Sequence, residues 1–295
     1  MKKCVLIVID SLGVGAAPDA INFGDEKSNT FGNVAKVIGD LDLPTFNKLG
    51  FGNITTISGL ESKEYIATVG KLAEKSKGND STTGHWEIAG LISEKEFKIF
   101  PDGFPEEIVN KVSEVTGYEF IGNFHASGTE IINNLGEEHL ASNKLILYTS
   151  GDSVFQIAAH ENVINLEKLY EVCEAARIVC NDYNIGRIIA RPFKGTPNNF
   201  ERTYDRKDFG IKPPGETLLS YLNKNNYKTL GIGKISDLFG EEYLDSSIHT
   251  EGDQDGMNTL IDSYTEGLYN FYFINQLWYH MVVTHIRTID IMRTK

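Results

Sequence analysis

Cys4-Val5-Leu6-Ile7-Val8-Ile9-Asp10 is an unbroken apolar run, rich in Val and Ile, closed by an acid. Apolar residues without alternation predict a strand buried on both faces, which is the habit of parallel sheets in α/β folds. Asp10 then stands at the carboxyl end of that strand, where open α/β sheets hold their ligands. The stretch that follows, Ser11 to Asp19 with Gly13, Gly15 and Pro18, predicts a loop. Gly13-x-Gly15 lacks the third glycine of a dinucleotide fingerprint, so a nucleotide cofactor is disfavoured.

Outward from this strand, helical and strand patterns alternate. Phe31, Val34, Val37 and Ile38 recur at helical spacing between Asn29 and Leu49, and Ile66 to Gly70 predicts a short strand. Glu106 to Val112 reads as an amphipathic helix ended by Gly117. Leu145 to Tyr148 predicts a strand, followed by a polar turn at Thr149 to Ser153. Asn165 is placed to cap a helix whose apolar stripe is Leu169, Val172, Cys173, Ala176, Val179 and Cys180, which assigns both cysteines to the core. Ile185 to Ala190 predicts a strand carrying Arg187 and Arg191. Pro192 to Pro214 predicts a basic loop with Arg202 and Arg206, Gly215 to Asn223 a helix, and Thr229 to Gly233 a strand delivering Lys234.

Composition narrows the function classes. The 295 residues include 41 acidic and 28 basic side chains, a net charge of −13. That balance argues against sequence-independent nucleic-acid binding, which needs clustered Lys and Arg, but leaves room for a phosphorylated small substrate held by a few local cations. Cys4, Cys173 and Cys180 are an odd set without pairing logic, as expected of reduced thiols. Met1-Lys2-Lys3 and the apolar run resemble the start of an export signal, but Asp10 ends the run too early, and no segment is long enough to span a bilayer. The expectation is a soluble, cytoplasmic protein; the sequence carries no signal of its oligomeric state.

Asn79-Asp80-Ser81-Thr82-Thr83-Gly84-His85-Trp86-Glu87-Ile88-Ala89-Gly90 gathers three hydroxyls, an acid and a histidine without clear periodicity before Trp86. Two readings compete. One is an active-site loop, in which a hydroxyl becomes a nucleophile with help from a base or a metal. The other is a helix entry, with Asp80, Ser81 or Thr82 capping a helix that begins near His85 and Glu87 completing a capping box.

Several strings resemble the bacterial phosphopentomutases: Asp10 to Ala20, Asp80-Ser81-Thr82-Thr83-Gly84-His85-Trp86-Glu87-Ile88-Ala89-Gly90, Ala126-Ser127-Gly128-Thr129-Glu130-Ile131, Tyr148 to Glu161, Gly186 to Pro192, and Ile232 to Asp237. The resemblance implies an alkaline-phosphatase-like α/β fold with a mostly parallel sheet core, residues 1–96 and 214–295, and a smaller α/β cap inserted at 97–213. It implies an isomerase that interconverts ribose or deoxyribose 1- and 5-phosphates through a phosphorylated hydroxyl. Ser81 stands where the family usually has Thr, with Thr82 a lesser candidate. Asp10 and Ser81 match metal-binding positions, for manganese or magnesium, two per site. Asp152, Arg187, Ile189, Arg202 and Lys234 match the positions that grip the sugar phosphate, and glucose 1,6-bisphosphate or a pentose bisphosphate is the expected activator. His85 and His160 fall within the matching strings but are expected to be structural.

The resemblance fades after about Asn270, where further ligand-bearing strings are expected; His285 falls near one expected His, in unlike surroundings. A frameshift or premature end is the expectation there, with weak metal binding and impaired activity. Two other readings are another enzyme of the same superfamily, such as a cofactor-independent phosphoglycerate mutase, and a non-catalytic remnant that still binds sugar phosphate.

Overall fold

The apolar run at 4–9 does form a strand, but it is not buried on both faces as expected. A computed structural model describes residues 2–39, 41–150 and 153–277. In chain order the elements are β1 (Cys4–Asp10), α1 (Thr30–Ile38), α2 (Pro44–Leu49), α3 (Ser81–Ile88), α4 (Glu106–Thr116), β2 (Phe120–His125), α5 (Gly128–Ser142), β3 (Leu145–Thr149), β4 (Val154–His160), α6 (Leu166–Asn181), β5 (Arg187–Thr196), β6 (Asn199–Arg202), β7 (Lys207–Gly210), α7 (Leu218–Lys224), β8 (Thr229–Ile232), α8 (Ile235–Phe239), β9 (Ser246–Ile248), α9 (Asp253–Glu266) and β10 (Phe271–Leu277). They pack as two units. One is Met1–Lys75, Tyr227–Lys234 and Ser246–Lys295; the other is Ser76–Asn226 and Ile235–Asp245.

The first unit is an all-parallel sheet in the order β1-β10-β8-β9, with Cys4 opposite Phe271 and Asp10 opposite Leu277. Tyr272, Ile274, Leu230 and Ile232 pack with Leu260 of α9, while Phe31 and Ala35 of α1 join Ile57 and Leu60 in a separate cluster that Ile9 and Leu12 flank. Val5 and Ile7, which share one face of β1, are 36% and 44% exposed instead of buried, and among the described residues β1 has one neighbour, β10. The strand expected at 66–70 is absent: those residues are irregular and Ile66 is 84% exposed, leaving its backbone no sheet to join.

The second unit has a mixed sheet, β2-β3-β4-β5-β6, with β7 also paired to β5. Successive side chains of a strand face opposite ways. Leu145 and Leu147 therefore meet α4 and α6 through Ile108, Val112, Leu169, Val172 and Cys173, whereas Ile146 and Tyr148 meet Ile131 and Ile132 of α5. Every residue of β3 and β4 is buried. Asn165 caps α6 as expected, accepting from the Lys168 amide, and both its cysteines are fully buried. Burial pushes the Cys180 thiol up to about 12, and the Cys173 thiol also rises, as suits packing and not reactivity. The stretch read as a basic loop, Pro192 to Pro214, is largely sheet. β5 runs through Pro192 to Thr196, turns at Asn198 in the left-handed region, and returns as β6 and then β7. Pro192 and the Gly and Asn that follow disguised it.

α5 lies close on β6 because Gly136 has no side chain: a Cβ there would come within 2.4 Å of the Phe200 ring. Beneath it His139 is fully buried, its Nδ1 2.6 Å from the Lys144 carbonyl, and its Nε2 accepts from the His160 amide at 2.8 Å. That acceptor role fixes the neutral tautomer, with the proton on Nδ1. His160 is likewise held by backbone, through Gly195 and Asn162. Burial, against the opposing hydrogen bond to the Lys144 carbonyl, holds His139 below its ordinary 6.5. The unfolded chain therefore takes up a proton near pH 6.5 that the folded chain refuses, so this contribution is complete above that pH and drains away as pH falls below it. The melting temperature is expected to be flat above about pH 6.5 and to fall below it, with a shallower fall in His139→Gln. An unchanged acid slope in that variant would count against the assignment.

Candidate active site

Asp80 sits in extended backbone and its Oδ1 accepts from the Thr82 and Thr83 amides at 2.9 and 3.0 Å, while Thr83 Oγ1 donates to its Oδ2 at 2.7 Å. It is thus the N-cap of α3, and the helix begins at Ser81 instead of near His85. Glu87 accepts from the Ser76 amide at 2.7 Å and makes no capping box. The helix-entry reading holds with its start moved to Ser81, whose hydroxyl is the least buried of the three. Thr82 and Thr83 are 1% and 0% exposed, whereas Ser81 is only half-buried, so access favours Ser81 over Thr82. His85 Nδ1 lies 2.7 Å from the Ser81 carbonyl, and Trp86 donates from Nε1 to the Leu238 carbonyl at 2.8 Å, anchoring α3 on α8.

Arg187, Ile189 and Arg191 alternate along β5 and share the face turned toward α5. Arg187 is 8% exposed and Ile189 3%. Asp208 of β7, directly opposite Ile189, binds two guanidiniums: Arg206 donates from Nε and a terminal nitrogen at 2.7 Å each, and Arg187 at 3.2 Å. Arg191 donates to Gln156 Oε1 at 3.2 Å, and Arg202, at the end of β6, to Thr129 Oγ1 at 3.2 Å. Burial and the nearby Arg206 depress the Arg191 guanidinium below its ordinary range. The second unit therefore concentrates positive charge at one end of its sheet, a setting suited to an oxyanion. Sequence reading singled out Arg187 and Arg202 but passed over Asp208 and gave Arg191 no role. The i, i+2, i+4 spacing of Arg187, Ile189 and Arg191 was the available signal.

Asp10 and Lys234 belong to the first unit, at the carboxyl ends of β1 and after β8, where Lys234 Nζ lies 3.4 Å from Asp10 Oδ2. Among the described residues no three acidic, histidine or cysteine side chains converge to hold a metal ion. One carboxylate already facing an ammonium is far from the roughly six oxygen ligands a hard cation takes. The described residues thus supply one hard oxygen donor, Asp10, and do not by themselves complete the metal centre the resemblance implies, so no step is derived through one. Asp152 lies outside the described residues, as do His285 and the rest of 278–295.

No protein-family model matches the chain. Full-length comparison finds curated relatives named phosphopentomutase. That of Dictyoglomus turgidum is 49% identical over 287 residues, 97% of this chain and 73% of the relative. That of Acetivibrio thermocellus is 47% identical over 287 residues, covering 97% and 74%. That of Caldanaerobacter subterraneus subsp. tengcongensis is 47% identical over 292 residues, covering 98% and 74%. The aligned span passes Asn270, after which the resemblance was expected to fade.

Proposed function

Because this chain belongs to the phosphopentomutase family, we propose that it moves a phosphoryl group between the 1- and 5-oxygens of ribose or deoxyribose by way of Ser81. The observation that carries the residue assignment is the contrast in access between Ser81 and its buried neighbours Thr82 and Thr83. In the first half-reaction the bond from Ser81 Oγ to phosphorus breaks as the sugar's free hydroxyl oxygen bonds to it, and that hydroxyl releases its proton. The pentose bisphosphate so formed returns its other phosphoryl group to Ser81 Oγ, the vacated sugar oxygen takes a proton, and the isomerised sugar phosphate leaves. The positive end of α3 favours negative charge at Ser81. Asp80 does not oppose this strongly, since three hydrogen bonds disperse its charge.

Arg187, Arg202, Ile189, Asp152 and Lys234 complete the proposal as sugar-phosphate contacts. The basic cluster on β5 and β6 supports the first two. Manganese or magnesium and a bisphosphate activator belong to it as expectations of the family; Asp10 offers the hard oxygen such ions prefer. An alkaline-phosphatase-like core with a cap at 97–213 is likewise proposed, supported by the parallel sheet of the first unit and the discontinuous order of both. No described helix is long and apolar enough to cross a membrane. Intact-mass analysis after incubation with glucose 1,6-bisphosphate is expected to show one phosphate adduct that maps to Ser81. An adduct on Thr82, or none on any hydroxyl of this stretch, would overturn the assignment.

A further inference from the structure

Tyr148 is 1% exposed, and among the described residues its hydroxyl has no partner in good hydrogen-bond geometry. An unmet buried phenol is costly, so its surroundings matter. They consist of donors. Burial pushes the phenol upward, while Arg191, which lies near enough to donate to its oxygen, and Arg202 and Arg206 act electrostatically against that push. A guanidinium can donate to the phenol oxygen but offers nothing to accept its proton. The first turn of α5 adds more donors: the Gly128 and Thr129 amides have no intrahelical carbonyl to use, while Ser127 takes the amide of Glu130. The parts meet at Gly128, where a Cβ would come within 2.7 Å of the Tyr148 hydroxyl and 3.1 Å of an Arg202 nitrogen. Asp208 engages Arg187 and Arg206, whereas the groups that Arg191 and Arg202 meet, Gln156 and Tyr148 for the one and Thr129 for the other, are neutral.

A group of donors around a buried hydroxyl lacks one thing, an acceptor with several lone pairs and negative charge. We propose that Tyr148, Arg191, Arg202 and the α5 amino terminus form a phosphate subsite, which holds the phosphate of the sugar that is not exchanging with Ser81. The inference rests on the sugar-phosphate reading above and adds Tyr148, Arg191 and the Gly128 and Thr129 amides to it. In this arrangement Tyr148 is a specificity-determining residue: its proton finds an acceptor only when a phosphorylated sugar is bound.

Calorimetric titration of the full chain with ribose 5-phosphate and with inorganic phosphate tests this. Tyr148→Phe and Arg191→Gln are each expected to weaken ribose 5-phosphate binding by about tenfold or more, as loss of a hydrogen bond to a charged group does. The unliganded Tyr148→Phe protein is expected to melt at the same temperature as the parent or higher, because it loses a buried hydroxyl whose proton has no acceptor. Affinity within about twofold of the parent in Tyr148→Phe, a lowered melting temperature, or a parent that takes up no ribose 5-phosphate would each overturn the subsite. Inorganic phosphate bound as tightly as the sugar phosphate would overturn the sugar's part in it. Failure of the Ser81 assignment reads differently: no phosphate adduct, with Tyr148-dependent binding intact.

Discussion

Ser81→Ala is expected to lower pentose phosphate interconversion by on the order of 10⁴-fold or more, and to abolish the phosphate adduct, while the fold stays intact. The expectation of an intact fold follows from the cap. Asp80, not Ser81, satisfies the Thr82 and Thr83 amides, so α3 keeps its start when the Ser81 hydroxyl is removed. Thr82→Val is the informative control. That side chain is 1% exposed, so its replacement is expected to change the melting temperature and leave the adduct in place. Turnover in a coupled assay on ribose 1-phosphate and intact mass should fall together in Ser81→Ala. Retention of either would remove Ser81 from the reaction.

Asp208→Ala is expected to cost about 3–5 kcal/mol of stability, because it withdraws a buried carboxylate from two guanidiniums. The side chains of Asp208 and Arg187 are 2% and 10% exposed, so little solvent screens that pair, whereas Arg206 is 43% exposed and can turn to water. The loss therefore falls chiefly on Arg187. It also reaches the sheet, since Asp208 faces Ile189 across the β5–β7 pairing. Urea unfolding measures the effect through its midpoint, and Asp208→Asn, which keeps shape and part of the hydrogen bonding, should lose less. A loss below about 1 kcal/mol in Asp208→Ala would mean that water replaces the carboxylate at Arg187.

Much of this was legible in the chain, and particular residues show where reading stopped. β1, β3, β5 and β8 announced themselves as apolar runs, and α6 by its Asn165 cap and apolar stripe. β10 did not: Asn275 and Gln276 follow directly on Phe271-Tyr272-Phe273-Ile274, and the resemblance reads as fading from about Asn270, so a central strand passed as the point where likeness ends. β4 was hidden between a polar turn and His160, because nothing local says that Gln156 will be buried against Arg191. In the site, the hydroxyl stretch was found but its helix start was misplaced. Asp80 could cap either of two frames, and only the burial of Thr82 and Thr83 separates them. Asp208 and Tyr148 were invisible for a different reason. Their roles come from strands distant in sequence, and no spacing rule encodes the company a side chain keeps across a sheet.

The position of β10 bears on the birth of the protein. A ribosome delivers Cys4–Asp10 almost at once, but the strand that lies beside it comes only after every other sheet element has been made. β2 to β7, by contrast, follow one another closely and can consolidate as they emerge. Until β10 emerges, the oldest strand is a ribbon of Val, Leu and Ile without its described sheet partner, and the long loop that must close between the two slows that pairing.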